Sequence, residues 1–188
     1  MRNERPRQLS TAEERRETVL RTAIGAFAAR GYWGTTTTEV AKAAGISQAY
    51  VYRLFPSKES LFTAVVEHCF VQVRASLERA AAEAKGSSAE VVLKAMGDAY
   101  ARLISDNDLM LIQLHAQAAA VSEPAVREAV RQGYARLVEY ARGASGGSEQ
   151  QIQEFFALGM LCHLIVSMGA DEVDARWTRT LSAGIRHY

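Results

Sequence analysis

The chain has 188 residues, 48% of them hydrophobic, and 22 Lys or Arg against 21 Asp or Glu give a net charge of +1, enough for one medium domain and a compact head. It has no run of about 18 consecutive apolar residues, so no membrane helix is expected. The stretch Met1 to Gln8 is polar and basic with no apolar core after it, which excludes an ordinary secretory signal, and Cys69 and Cys162 show no paired spacing, which argues against a zinc site or disulfide framework. A reducing cytoplasm is the simplest home. No cofactor and no metal is expected.

Residues 1–9 read as a flexible arm, and its arginines could reach a DNA minor groove, although a leader without function is the favoured reading. The densest signals lie between Thr36 and Ser60. Thr36 and Glu39 stand three apart, the spacing of a capping box, and open a short helix whose apolar face is Val40, Ala41 and Ala44. Gly45 supplies a permissive exit, and Ser47 follows as N-cap of a second helix. Val51, Leu54 and Phe55 would bury that helix, leaving Gln48, Ala49, Tyr50, Tyr52 and Arg53 on or near its outward side. Pro56 ends it. Ser57 to Ser60 begin another helix, and its first turn carries Lys58, a poor choice beside a positive helix end unless an anion such as a DNA phosphate is near. Two short capped helices around a glycine turn are a helix-turn-helix, which points to double-stranded DNA.

The runs Ala41 to Ser47, Val51 to Phe55 and Ser57 to Leu61 closely resemble the DNA-binding domain of the tetracycline-repressor (TetR) family of bacterial transcription regulators. The resemblance covers roughly the first third of the chain. It implies a helix before the motif, which Ser10 to Arg30 fits, ending at Gly31 and Tyr32. It also places Gln48, Ala49 and Tyr50 where base contacts occur, and Thr37, Tyr52 and Lys58 where phosphate contacts occur. Position 49 is often glycine in that family and is alanine here. The DNA-facing set is therefore Thr36, Thr37, Ser47, Gln48, Ala49, Tyr50, Tyr52, Arg53 and Lys58. A glutamine amide suits adenine, and a methyl group suits thymine. Charge agrees, since residues 1–60 carry net +4 and residues 61–188 net −3. A head so modestly charged would bind weakly alone, so a homodimer reading two half-sites is the economical form.

Residues 10–57 thus form the helix-turn-helix domain, and residues 58–188 a helical regulatory and dimerisation domain. In the latter, a long helix over about 58–85 buries Leu61, Val65, Val66, Phe70 and Val73. Helices follow over 89–105, about 107–121, from Pro124 to the glycines near 143–147, over 149–168, and over about 172–186. The sum is an all-α fold of about nine helices, as the resemblance implies.

The helix at 149–168 has little polar surface around its second half, so that half must be covered on all sides. The resemblance places dimerisation on the last two helices, which nominates Phe155, Phe156, Gly159, Met160, His163, Trp177 and Leu181; a purely internal core helix is the alternative. The resemblance further implies a small-molecule effector in a pocket of the C-terminal domain. On a helical wheel His115 shares a side with Leu111 and Leu114, opposite Gln113 and Gln117. The candidate ligand set is His115, Leu111 and Leu114 with Tyr100 or Tyr134 as polar anchors, a hydrogen-bonded core histidine being the alternative for His115. A ligand-released repressor is the leading reading. A DNA-binding regulator without a small effector, or a small helical enzyme that keeps the helix-turn-helix, are the alternatives. For the enzyme no nucleophile with its base, paired carboxylates or metal motif is present in any short stretch, and His68–Cys69 and Cys162–His163 point in different directions on a helix.

Overall fold

The computed structural model describes residues 12–105 and 108–185, so the expected arm, residues 1–9, and the ends of expected helices at 10–11, 107 and 186 lie outside the described residues. Nine α-helices and no strand occur among the described residues, in agreement with the all-α expectation. The head comprises α1 (Ala12–Gly34), α2 (Thr37–Ala43) and α3 (Gln48–Leu54). The remainder comprises α4 (Lys58–Glu83), α5 (Ala89–Ile104), α6 (Asp108–Ala120), α7 (Pro124–Ser145), α8 (Glu149–Ser167) and α9 (Arg176–Leu181), with a single 3₁₀ turn at Ala170–Glu172.

The helix ends form where the side chains dictate. Thr36 and Glu39 close the capping box of α2, while Ser47 and Ser57 accept from Tyr50 N and Ser60 N at the starts of α3 and α4. At the exit of α2, Gly45 adopts φ 65°, Ile46 N donates to Ala41 O and Gly45 N to Lys42 O. That pair of bonds is a Schellman motif, and it sets the angle at which α3 leaves α2. Proline opens α7, as expected.

The first helix breaks at Gly31, as expected, with φ 69° and ψ −179°, and a further turn runs from Tyr32 to Gly34 before α2. The last helix is far shorter than residues 172–186. Thr178 Oγ1 in α9 shares its one proton between Val173 O (2.6 Å) and Ala175 O (2.8 Å) and accepts from Ala175 N, so the local hydroxyl outcompetes an earlier helical start.

One hydrophobic cluster runs from Val19 in α1 to Ile152 in α8. Leu61, Val65, Val66, Phe70 and Val73 are all buried, as the spacing of the long helix requires. Phe27 of α1 meets Phe62 of α4 at 4.8 Å between ring centroids, joining the head to the long helix. Each side chain so buried contributes roughly 1.5–3 kcal/mol of transfer free energy. The 26 residues of α4 extend about 39 Å at 1.5 Å per residue, so this helix links the head to the far end of the bundle.

Candidate functional site

On the outer side of the head, Ser47, Gln48, Ala49, Tyr52 and Arg53 are exposed on α3, with Thr36 exposed at the start of α2. Tyr50 is half-buried, its ring flanked by the guanidinium groups of Arg53 (5.1 Å) and Arg15 (5.5 Å). Arg15, on α1, escaped sequence reasoning, because only tertiary packing brings it to α3. Arg16 beside it stacks on Phe55 at 4.2 Å and donates to Leu54 O (3.3 Å), fixing α1 against the end of α3.

Two expected phosphate-contacting side chains are engaged within the protein. Thr37 is buried: its Oγ1 donates to Tyr52 Oη (3.1 Å) and accepts from Gln48 Nε2 (3.2 Å), tying α2 to α3. Lys58 does not stand free at the start of α4. Its Nζ donates to Tyr32 O (3.0 Å) and lies 4.6 Å from the centre of the Tyr32 ring. The turn after Gly31 presents that carbonyl and ring, which supply the negative potential for which the sequence suggested a phosphate.

His115 is not a cavity residue. Its Nε2 faces Ala28 O at 3.1 Å, so that nitrogen carries the proton, and its ring presses on the break in α1. A Cβ at Gly31 would lie 2.8 Å from His115 Nδ1. The opposite side of α6 holds Gln113, which is buried, so both sides of this helix are covered: one by the head, the other by the bundle. Leu111 and Leu114 are half-buried and, like His115, lie off the cavity wall. Nearby, Tyr32 Oη donates to Glu123 Oε2 at 3.5 Å, a second polar link between the head and the bundle.

The cavity itself, about 440 Å³, lies among α4, α5, α6, α7 and α8. Val73 and Leu77 of α4, Leu93 of α5 and Leu137 of α7 give it apolar walls, and Phe155 and Phe156 add aromatic faces. Of the ligand set expected from sequence, Tyr100 and Tyr134 line it. Four residues nominated for dimerisation, Phe155, Phe156, Gly159 and Met160, line it too, and so does His163, which is only 2% exposed. The reason lies in α5: the Tyr100 hydroxyl draws the imidazole inward, and that face of α8 follows.

The protons of this buried cluster can be assigned. Gln113 Nε2 donates to Leu109 O (3.2 Å), which leaves Gln113 Oε1 to accept from Tyr100 Oη (3.0 Å). Tyr100 has no second proton, so in its short contact with His163 the Nε2–H of the imidazole is the donor. Nδ1 then carries a lone pair, and that atom is buried without a partner. Burial holds the His163 pKa below its ordinary value, so the ring is neutral, and burial likewise raises those of Tyr100, Tyr134 and Cys162. Cys69, pushed up to about 12 by burial, is an inert core thiol whose Sγ donates to Leu109 O.

With one face of α8 turned to the cavity, another remains uncovered. Ala157, Leu164 and Met168 are exposed and Leu161 half-buried, at intervals of four, three and four residues that place them on one stripe. Trp177 of α9 is 50% exposed, whereas Leu181 is half-buried. Among the described residues no helix is long and apolar enough to cross a membrane.

The fold and this arrangement define a helix-turn-helix, DNA-binding transcriptional regulator, and similarity to known proteins specifies which kind. Residues 19–65 match the family of bacterial regulatory proteins, tetR family. The HTH-type transcriptional regulator CymR of Pseudomonas putida is 31% identical over 174 residues, spanning 90% of this chain and 76% of that protein. The chain therefore belongs to the TetR family. The nucleoid occlusion factor SlmA of Haemophilus influenzae is 44% identical over 59 residues, 31% of this chain and only 27% of that protein, so the likeness concerns the head. Among solved structures, a TetR-like transcriptional regulator from a Rhodococcus species superposes with a TM-score of 0.67 at 19% identity, covering 93% of this chain and 96% of that one. The regulator FadR of Bacillus subtilis, crystallised with stearoyl-CoA, does so with a TM-score of 0.67 at 18% identity, covering 90% and 99%. At such identity these two structures speak for the fold alone.

Proposed function

We propose that this protein is a non-enzymatic, cytoplasmic homodimeric repressor that holds an inverted-repeat operator through its two heads and leaves it when a small hydrophobic molecule enters the cavity. The observation that carries this reading is that α4 serves both ends. Val73 and Leu77 wall the cavity, while Lys58 at the start of the same helix grips Tyr32 O of the head. A ligand that fits the cavity best in a conformation with α4 displaced shifts the population away from the DNA-competent spacing of the heads. That the same fold in FadR accommodates stearoyl-CoA supports a small organic effector here.

In this reading Gln48, Ala49 and Tyr50 face base edges, with Thr36, Ser47, Tyr52 and Arg53 positioned on the backbone. Lys58 and Thr37 contribute only as their present partners are shared or released. The second protomer covers the stripe of Ala157, Leu161, Leu164 and Met168, together with Trp177, while Phe155, Phe156, Gly159, Met160 and His163 serve the cavity.

The test is selection of bound duplexes from a random pool by the purified protein near physiological salt, with the mass in solution measured in parallel. The expected result is an inverted repeat and a dimer that Leu164→Lys dissociates. A single unrepeated site bound by a monomer overturns the dimeric reading, and an operator complex that no apolar compound releases overturns the ligand-released one.

A further inference from the structure

The chemistry of the cavity says more than that it is apolar. Two features select among ligands: the unmet acceptor on the buried imidazole and the charges at the rim. In the described structure His163 lines the cavity, its Nε2 is committed to Tyr100, and its Nδ1 is buried with no hydrogen-bond partner, so a donor reaches it only as the side chains that cover it move aside. A buried acceptor without a donor loses its hydration and gains nothing in return. At the rim, Glu90, Asp98 and Glu154 are acidic, and Lys94, the one cation among the described lining residues other than the neutral histidine, is paired with Asp98 at 3.0 Å. Among the described lining residues an anionic ligand would meet net negative charge on entry and no unpaired cation in the interior.

On this basis, and resting on the reading that the cavity is the effector site, we propose that its ligand is an uncharged, mainly apolar ring compound bearing one hydroxyl or N–H donor, which hydrogen-bonds to His163 Nδ1. The rings of Tyr100, Tyr134, Phe155 and Phe156 supply faces and edges for an aromatic body. The charge of the described lining residues disfavours carboxylates and phosphorylated carriers, so the proposed ligand differs in class from the acyl-CoA of the FadR structure. The volume of about 440 Å³ suits a molecule of two or three rings and leaves no room for a bulky anionic carrier inside.

The experiment measures direct binding to the purified full-length protein, without DNA, by titration calorimetry near neutral pH. Three matched probes are used: para-phenylphenol, its para-fluoro analogue of similar size without a donor, and the corresponding biphenyl carboxylate. The phenol is expected to bind about tenfold more tightly than the fluoro analogue, the factor supplied by one buried hydrogen bond, and the carboxylate more weakly than either. His163→Phe should bring the phenol down to the fluoro analogue while the latter keeps its affinity. Should that variant fail to fold, the ratio in the native protein decides alone. Equal affinities of phenol and fluoro analogue, a carboxylate that binds as well as the phenol, or no binding by any of the three overturns the proposal. Operator release is scored separately. Phenol binding with this preference that leaves the operator complex intact sustains the ligand class and removes the release mechanism, whereas release by a carboxylate sustains the mechanism and removes the class.

Discussion

Two polar clusters in this molecule use nearly the same chemistry in opposite surroundings. Between α2 and α3, the Thr37 hydroxyl joins the Tyr52 phenol to the Gln48 amide; in the bundle, the Tyr100 phenol joins the Gln113 amide to the His163 ring. Tyr52 is 44% exposed and Gln48 is exposed too, so water replaces any bond they give up. Gln113 and His163 are 5% and 2% exposed, so a bond lost there is not replaced. The exposed cluster is therefore pre-positioned and can trade partners with DNA cheaply, while the buried one is fixed and advertises its one unfilled acceptor. In the proposed reading the same hydrogen bonds serve recognition in one place and specification of a ligand in the other.

The largest expected effect comes at the seam where the two regions meet. Gly31 occupies a backbone region essentially reserved for glycine, and the His115 ring fills the space a Cβ would need. Gly31→Ala should cost about 2–4 kcal/mol, strain and overpacking together, in urea denaturation. Because one hydrophobic cluster spans head and bundle, both should melt in a single transition. Adding His115→Ala to that background should recover the overpacking share and leave the strain.

Next come substitutions that strike each cluster in turn. Tyr100→Phe strands Gln113 Oε1 and His163 Nε2 in the interior and should cost about 1–3 kcal/mol of stability. Gln48→Ala should leave stability nearly unchanged and relax preference at one base step by about 1–3 kcal/mol, read from competition binding with single-base operator variants. Equal loss on every sequence would remove Gln48 from base reading. Tyr52→Phe should cost less than about 1 kcal/mol of stability and weaken all DNA sequences alike. A Tyr52→Phe variant as unstable as Tyr100→Phe would erase the distinction between the clusters.

The same distinction explains what could be read from sequence. Thr36 with Glu39, Ser47 before α3 and Pro124 at the start of α7 act within one turn of chain, and each forms the end its residue type implies. The helical wheel separated the two faces of α6 but did not say what each face meets. His115, Lys58 and His163 were all assigned outward or ligand-facing roles, yet each found a partner on a distant helix: Ala28 O, Tyr32 O and the Tyr100 hydroxyl. Two of these partners are backbone carbonyls beside the break at Gly31, and no side-chain pattern announces a free carbonyl. The exposed face of α3 was legible because it is what remains after Val51, Leu54 and Phe55 are buried. The cavity was not, because five helices contribute to it and its key acceptor is defined by the partner it lacks.

The smallest expected effect tests the protonation of the buried cluster. Burial lowers the His163 pKa in the native state, while in the unfolded chain it sits near its ordinary value of about 6.5. Above about pH 6.5 the ring is neutral in both states and pH does not bear on stability through it. As pH falls below that value the unfolded chain takes up a proton that the native protein refuses, so stability declines until the lower native pKa is reached and then levels off. One proton allows a slope of at most about 1.4 kcal/mol per pH unit. The interior groups Tyr100, Tyr134 and Cys162 have raised pKa values and stay uncharged throughout that window, so they neither add to the slope nor mask it. Urea denaturation from pH 7.5 to pH 5 should therefore show the native protein losing stability faster than His163→Gln. A donor-bearing ligand should keep its affinity over that window and weaken only as the lower native pKa is reached, where it and the proton compete for Nδ1. A native protein that instead gains stability relative to His163→Gln on acidification would mean the imidazole is charged in the fold, and Nδ1 would then be a donor seeking an acceptor, the reverse of the ligand inferred from the cavity.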